Sequence, residues 1–172
     1  MEGQILFSEK QYFRQFLVIG LLVLVNLFFA YGFVQQIILG HPFGTKSAPN
    51  AVLIVSLLGN WLLTYYMGKS NLTTTITTLG IAYRFYPFQR QPAFIPWHQI
   101  KSCFVRQYNP LKEYGGWGYR NYPKNKAFNV SGSVGIQIVL HTNEFILLGT
   151  NRGSQAQAAI DSINRPVGPV PA

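Results

Sequence analysis

The sequence predicts a membrane α-helical hairpin followed by a mainly-β barrel or sandwich of about seven strands, capped by one C-terminal helix. Three observations carry that expectation. Two long apolar runs, 16–34 and 51–67, contain no ionisable residue. From Lys69 onward the chain changes to short β-branched and aromatic runs broken by Gly, Pro and Asn. After Ser154 a single stretch carries apolar residues at helical spacing.

Composition narrows the class before any motif is considered. Of 172 residues only 11% are charged while 48% are hydrophobic, against about 25% charged in an average soluble domain. Disorder, a disulfide scaffold and a large multi-domain enzyme fit poorly. The first run would make a helix of roughly 28 Å, close to a hydrocarbon core of about 30 Å. The second is at the short end of the spanning range, with Trp61, Tyr65 and Tyr66 in its last turns, where an aromatic belt would sit. Retention rather than cleavage is expected for the first run. Acidic and basic residues are mixed ahead of it, and Phe28-Phe29-Ala30-Tyr31 is too bulky for a cleavage site.

Basic residues set the expected orientation. Lys10 and Arg14 precede the first helix, and Lys69, Arg84 and Arg90 follow the second, whereas the connecting segment holds only Lys46 and His41. Both termini are therefore expected in the cytoplasm. The single Cys103 suits a reducing compartment. The expected organisation is an N-terminal segment 1–15, helices at 16–38 and 51–68 around an external loop 39–50, a cytoplasmic domain 69–165, and a Pro-rich tail 166–172. Asn26 and Asn60 lie near mid-helix. An antiparallel hairpin brings them to similar depth, where they clasp each other or meet another membrane subunit.

In the domain, extended runs are expected at 72–79, 81–86, 94–108, 117–122, 127–131, 134–140 and 144–150, with Asn109-Pro110 as a turn. Ser154 and Gln157 have capping-box spacing, and Ala156, Ala159, Ile160 and Ile163 form the apolar stripe of the closing helix. Four segments, Ile95-Pro-Trp-His-Gln-Ile100, Tyr114-Gly-Gly-Trp-Gly-Tyr-Arg120, Gly135-Ile-Gln-Ile-Val-Leu140 and Phe145-Ile-Leu-Leu-Gly-Thr150, are the most telling. With seven strands and a C-terminal helix, the chain resembles bacterial pleckstrin-homology-like (PH-like) membrane proteins. That resemblance implies a helical hairpin preceding a PH-like domain in the inner membrane, and it implies no particular ligand.

Reaction chemistry finds few parts. The five acids are scattered, the three histidines stand far apart, and one cysteine cannot build a zinc site. Cys103 and His98, five residues apart on a strand, would point to opposite faces. No enzyme activity, cofactor or metal is expected. Gly115-Gly-Trp-Gly-Tyr-Arg120 is the unusual cluster. It reads either as a bulged strand with its tryptophan in the core, or as a recognition surface anchored by Trp117, Tyr119 and Arg120. Residues 69–172 carry eleven Lys or Arg against three acids, and Lys112, Arg120, Lys124 and Lys126 cluster around one loop. These residues are candidates for contact with a partner protein or with anionic lipid headgroups. Nucleic acid is not expected, because the cations form no stripe. The expected function is a non-enzymatic, membrane-anchored interaction module, scaffold or accessory subunit of a larger membrane complex. The alternative is an anionic-lipid-binding module of the cytoplasmic leaflet.

Overall fold

The structure, a computed structural model, describes residues 3–44 and 47–164. The tail expected at 166–172 lies outside the described residues. The chain divides into two units, Arg14–Lys69 and a domain made of Met1–Phe13 together with Ser70–Ala172.

The helical unit holds α1 (Phe16–Phe33), which continues as a π-helical turn over Val34–Ile38, and α2 (Asn50–Lys69). Phe16–Ile38 and Asn50–Lys69 are long and apolar enough to cross a membrane. Gln36 organises the connection between them. Its amide donates to Ala48 O at 2.6 Å and Asn50 Oδ1 at 2.7 Å, and its Oε1 accepts from Phe43 N.

The domain begins before the helices. β1 (Ile5–Tyr12) pairs antiparallel with β2 (Asn71–Thr77), followed by β3 (Gly80–Tyr86) and β4 (Ala93–Pro96) in a four-stranded sheet of order β1-β2-β3-β4. The segment 1–15 is therefore not a separate leader to the hairpin, and the hairpin does not precede the domain. It is inserted between the first two strands. Phe13 N–H donates to Ser70 O at 3.0 Å, so the points where the chain leaves and rejoins the sheet are neighbours. β1 alternates as a half-buried strand should, with Phe7, Glu9 and Gln11 buried and Ser8, Lys10 and Tyr12 exposed.

The run expected at 94–108 is interrupted. Pro96 ends β4, a 3-10 turn spans Trp97–Gln99, and β5 (Ile100–Gln107) begins a different sheet. Trp97 holds the corner by donating Nε1–H to Thr77 O at 2.9 Å and N–H to Leu79 O. Gly80 is required beside it. A Cβ there would fall 2.8 Å from Pro96 Cα and collide with Ile95 O.

The second sheet has the order β5-β8-β9-β7-β6, with β6 (Gly118–Asn121), β7 (Asn125–Asn129), β8 (Val134–Leu140) and β9 (Phe145–Gly149). β7 runs parallel to β9 and every other pair is antiparallel. Nine strands thus stand where about seven were expected. A short helix, α3 (Pro110–Tyr114), replaces the expected turn. β8 and β9 are central and buried on both faces: Ile136 and Ile138 on one, Gln137 and Leu147 on the other. Aromatic rings join the sheets, with Tyr83 stacked on Phe128 at 5.1 Å and Phe85 tilted against Tyr119 at 5.7 Å.

α4 (Gly153–Asn164) closes the domain with Ala156, Ala159 and Ile160 buried, as the stripe predicts. Its start differs from the capping-box expectation. Ala156 N–H bonds Arg152 O, which puts Arg152 at the cap, and Gln157 reaches across to accept from Val105 N at 2.7 Å on the edge of β5. Glu9 ties β1 to this corner. Its carboxylate accepts from the Thr150 hydroxyl at 2.6 Å and from Asn151 N at 3.1 Å. Gln11 donates to Gly149 O at 2.7 Å beside it.

Replacing Arg14–Lys69 by a two-residue Asn-Gly turn should give a soluble folded domain, because the flanking residues already have hairpin geometry. The same domain without residues 1–13 should show no cooperative thermal unfolding. Glu9→Ala strands two donors and should cost about 1–3 kcal/mol, whereas Lys10→Ala should be near neutral; denaturant midpoints of the excised domain measure both.

Candidate functional site

Part of the cluster singled out by the sequence lies around the outer face of the five-stranded sheet, where Arg120 bonds Tyr114 O. Strand register puts Arg106 of β5, Gln137 of β8, Leu147 of β9 and Ala127 of β7 on that face. α3 lies against it, its Tyr114 packed on Tyr108, Ala127 and Leu147.

The local sequence explains why a helix this short persists. Asn109 caps it by accepting from Leu111 N and Lys112 N, Pro110 occupies the first turn, and Glu113 accepts from Asn109 N at 2.7 Å. Gly115 ends it in the left-handed region at φ 66°, where its N–H bonds Leu111 O and that of Gly116 bonds Pro110 O.

Arg106 sits beneath this helix and is spent on holding it. Nη2 donates to Glu113 Oε2 at 2.8 Å and to the Tyr114 hydroxyl at 3.2 Å, Nε to Gln137 Oε1 at 3.0 Å, and Nη1 to Gln107 O. The guanidinium bond, with the Asn109 N–H, holds the Glu113 carboxyl below its ordinary range. The same pairing raises Arg106. Burial pushes the Tyr108 and Tyr114 hydroxyls up. An open depression of about 540 Å³ lies alongside, bordered by Tyr114, Lys124, Asn125 and Phe145.

The remaining candidates divide. Arg120 folds back, with Nε donating to Tyr114 O at 3.1 Å. Trp117 is half-buried and donates Nε1–H to Gly132 O at 2.9 Å, while Gly118 N bonds Asn129 Oδ1. Tyr119 joins the inter-sheet rings, 5.0 Å from Phe128 and stacked on Phe88 at 5.1 Å. Lys126 pairs with Glu144 at 2.8 Å. Of these candidates, Lys112 and Lys124 stay exposed and no ion pair among the described residues engages them. Gly115-Gly-Trp-Gly-Tyr-Arg120 therefore has its polar groups turned inward.

The chain matches no family model and no curated protein.

Among the described residues no three His, Cys, Asp or Glu side chains gather. Burial pushes the Cys103 thiol up to about 12 and, with nearby Tyr119 and Glu144, the Tyr83 hydroxyl to about 12. In the helical unit Asn26 meets Thr64 rather than Asn60. Its Nδ2 donates to Thr64 Oγ1 at 2.8 Å and to Leu22 O, while Asn60 bonds Ser56 O in its own helix. The Asn26–Thr64 pair lies on a groove of about 640 Å³ with Leu27, Trp61 and Tyr65. Sequence reasoning missed Arg106, Glu113 and Gln137, whose sole local signal was the Asn109-Pro110 start with Glu113 behind it.

A carboxylate with a lowered pKa adds stability above the ordinary carboxylate range, and that contribution is lost as pH falls through the lowered value. Glu113→Gln should accordingly be less stable than the parent at neutral pH, with the gap closing below about pH 4, as read from denaturant midpoints across pH. Cys103 should resist maleimide at pH 8 in the folded chain and react readily once denatured.

Proposed function

We propose that the chain is a membrane-anchored PH-like interaction module, a scaffold or accessory subunit of a larger complex in the bacterial inner membrane. The anchor reading is supported by helices whose apolar side chains face outward all round. Only Gly32 in α1 and Leu53 in α2 are buried, and Leu17 is 90% exposed. Such surface suits hydrocarbon rather than water.

The pairing of β1 with β2 sharpens the topology. Strands that share hydrogen bonds lie on one side of a bilayer, so the chain between them crosses an even number of times. Both helices span, or neither does. With Lys10, Arg14 and Lys69 flanking the spans, the domain and both termini belong on the cytoplasmic side.

PH-like architecture is supported once the excursion between β5 and β8 is set aside. Tyr108 N–H bonds Ser133 O at 2.8 Å, so that excursion is closed at its base like the hairpin. What remains is β1–β4, β5, β8, β9 and α4: seven strands and a C-terminal helix.

The observation that carries the interaction reading is the number of large apolar side chains the domain leaves uncovered. Phe88, Phe94, Leu111, Tyr122 and Phe145 are all exposed. A small domain whose acids and most of whose arginines are consumed internally, yet which shows this much aromatic surface, is suited to contact rather than to chemistry. Extraction in a gentle detergent followed by mass spectrometry should reveal a stoichiometric membrane-protein companion, lost on Leu111→Ser with Tyr122→Ser. A monodisperse chain with no companion would overturn the reading.

A further inference from the structure

We propose that the end of the four-stranded sheet where the chain departs for the helices is a docking surface for anionic lipid headgroups, with Phe88 as its apolar wedge. It rests on the membrane-anchored reading and adds a site that the loop cluster around Lys112 and Lys124 does not include.

Register assembles the surface. Lys10, Thr73 and Arg84 form one cross-strand rung on β1, β2 and β3, and Tyr12, Asn71 and Tyr86 form the last rung before the sheet ends. Lys10 is exposed, and Tyr12 and Tyr86 are about half exposed. Cations therefore stand two rungs behind the aromatics, at the next positions on the same face, the order in which a bilayer presents phosphates and then the glycerol region to an approaching protein.

The connection from β3 to β4 emerges at the same end and carries Phe88 and Arg90. Gln89 stiffens it, with N–H donating to Phe85 O and Oε1 accepting from Phe85 N, both at 2.8 Å. The Phe88 ring rests one face on Tyr119 yet stays 63% exposed. A rigid loop that presents a phenyl ring to the outside, beside an arginine, is an interfacial anchor in form.

The surface has no negative counterpart. Among the described acids, Glu9 faces inward to Thr150 and Asn151, Glu113 and Glu144 pair with Arg106 and Lys126, and Asp161 lies on α4. No ion pair among the described residues engages Lys10, Arg84 or Arg90. Connectivity supplies the occupant. The chain leaves this end at Phe13 and rejoins it at Ser70, and three residues of chain reach only about 10 Å. Near an anionic leaflet, basic side chains so placed each strengthen adhesion, and the effect is screened by salt.

The test uses the full chain in vesicles of phosphatidylcholine with or without phosphatidylglycerol. A fluorophore is placed by Phe88→Cys, or by Gln91→Cys should the first fold poorly, in a Cys103→Ala background. Lys112→Cys is the comparison site. Nitroxide-headgroup lipid should quench the label at 88 or 91 when phosphatidylglycerol is present. High salt, or Lys10→Gln with Arg84→Gln and Arg90→Gln, should abolish that quenching, and the label at 112 should stay bright. Quenching at 88 and 91 no greater than at 112 overturns the proposal, as does quenching indifferent to phosphatidylglycerol and salt. Release of the parent chain by alkaline carbonate would instead sink the membrane reading itself.

Discussion

The hydrogen-bonded register between Ile5–Tyr12 and Asn71–Thr77 is the constraint on which the rest of the domain depends. It makes the helical unit an insertion rather than a leader, since Phe13 and Ser70 are bonded across its base. It also carries Glu9 and Gln11 to the far corner of the domain, where they meet Thr150, Asn151 and Gly149. Without β1, the α4 corner would lose its carboxylate and β2 would become a bare sheet edge. The excursion closed by Tyr108 and Ser133 repeats the same device. The domain accommodates large additions where two hydrogen-bonded neighbours hold their ends together.

Most polar groups that look functional in isolation are consumed by this architecture. Arg106 holds α3, Arg120 holds the loop behind it, Lys126 answers Glu144, and Trp117 caps a neighbouring carbonyl. Buried donors and acceptors without partners are costly, so a small domain with few charges spends them first on its own satisfaction. The side chains left over are aromatic or singly cationic and lie on surfaces.

What the sequence shows and hides follows the range of the forces involved. β8 was legible at its exact bounds because Val134, Ile136, Ile138 and Val139 make Val134–Leu140 rich in β-branched residues between turn residues. β2, β3 and the apolar helices were equally plain. β1 was not, because two of its inward residues are Glu9 and Gln11, whose burial makes sense only beside residues near position 150. α3 is too short for periodicity to register. The break after Pro96 is set by Trp97 reaching Thr77, and Gln157 serves β5 rather than its own helix. At the site, the basic loop was visible as composition, but which cations are neutralised depends on Arg106 and Lys126 meeting acids from other elements.

Biosynthesis inherits an order from the inserted hairpin. β1 leaves the ribosome first, yet its partner follows only after all of Arg14–Lys69. During that interval Phe7 and Phe13 have no core to enter, and the edge that β2 will occupy is open. The sheet can close only once the second helix is complete and Ser70 has returned to Phe13. Completion of the domain thus waits on synthesis of the whole inserted segment, and a chain stalled within it would leave β1 unpaired and exposed to proteolysis.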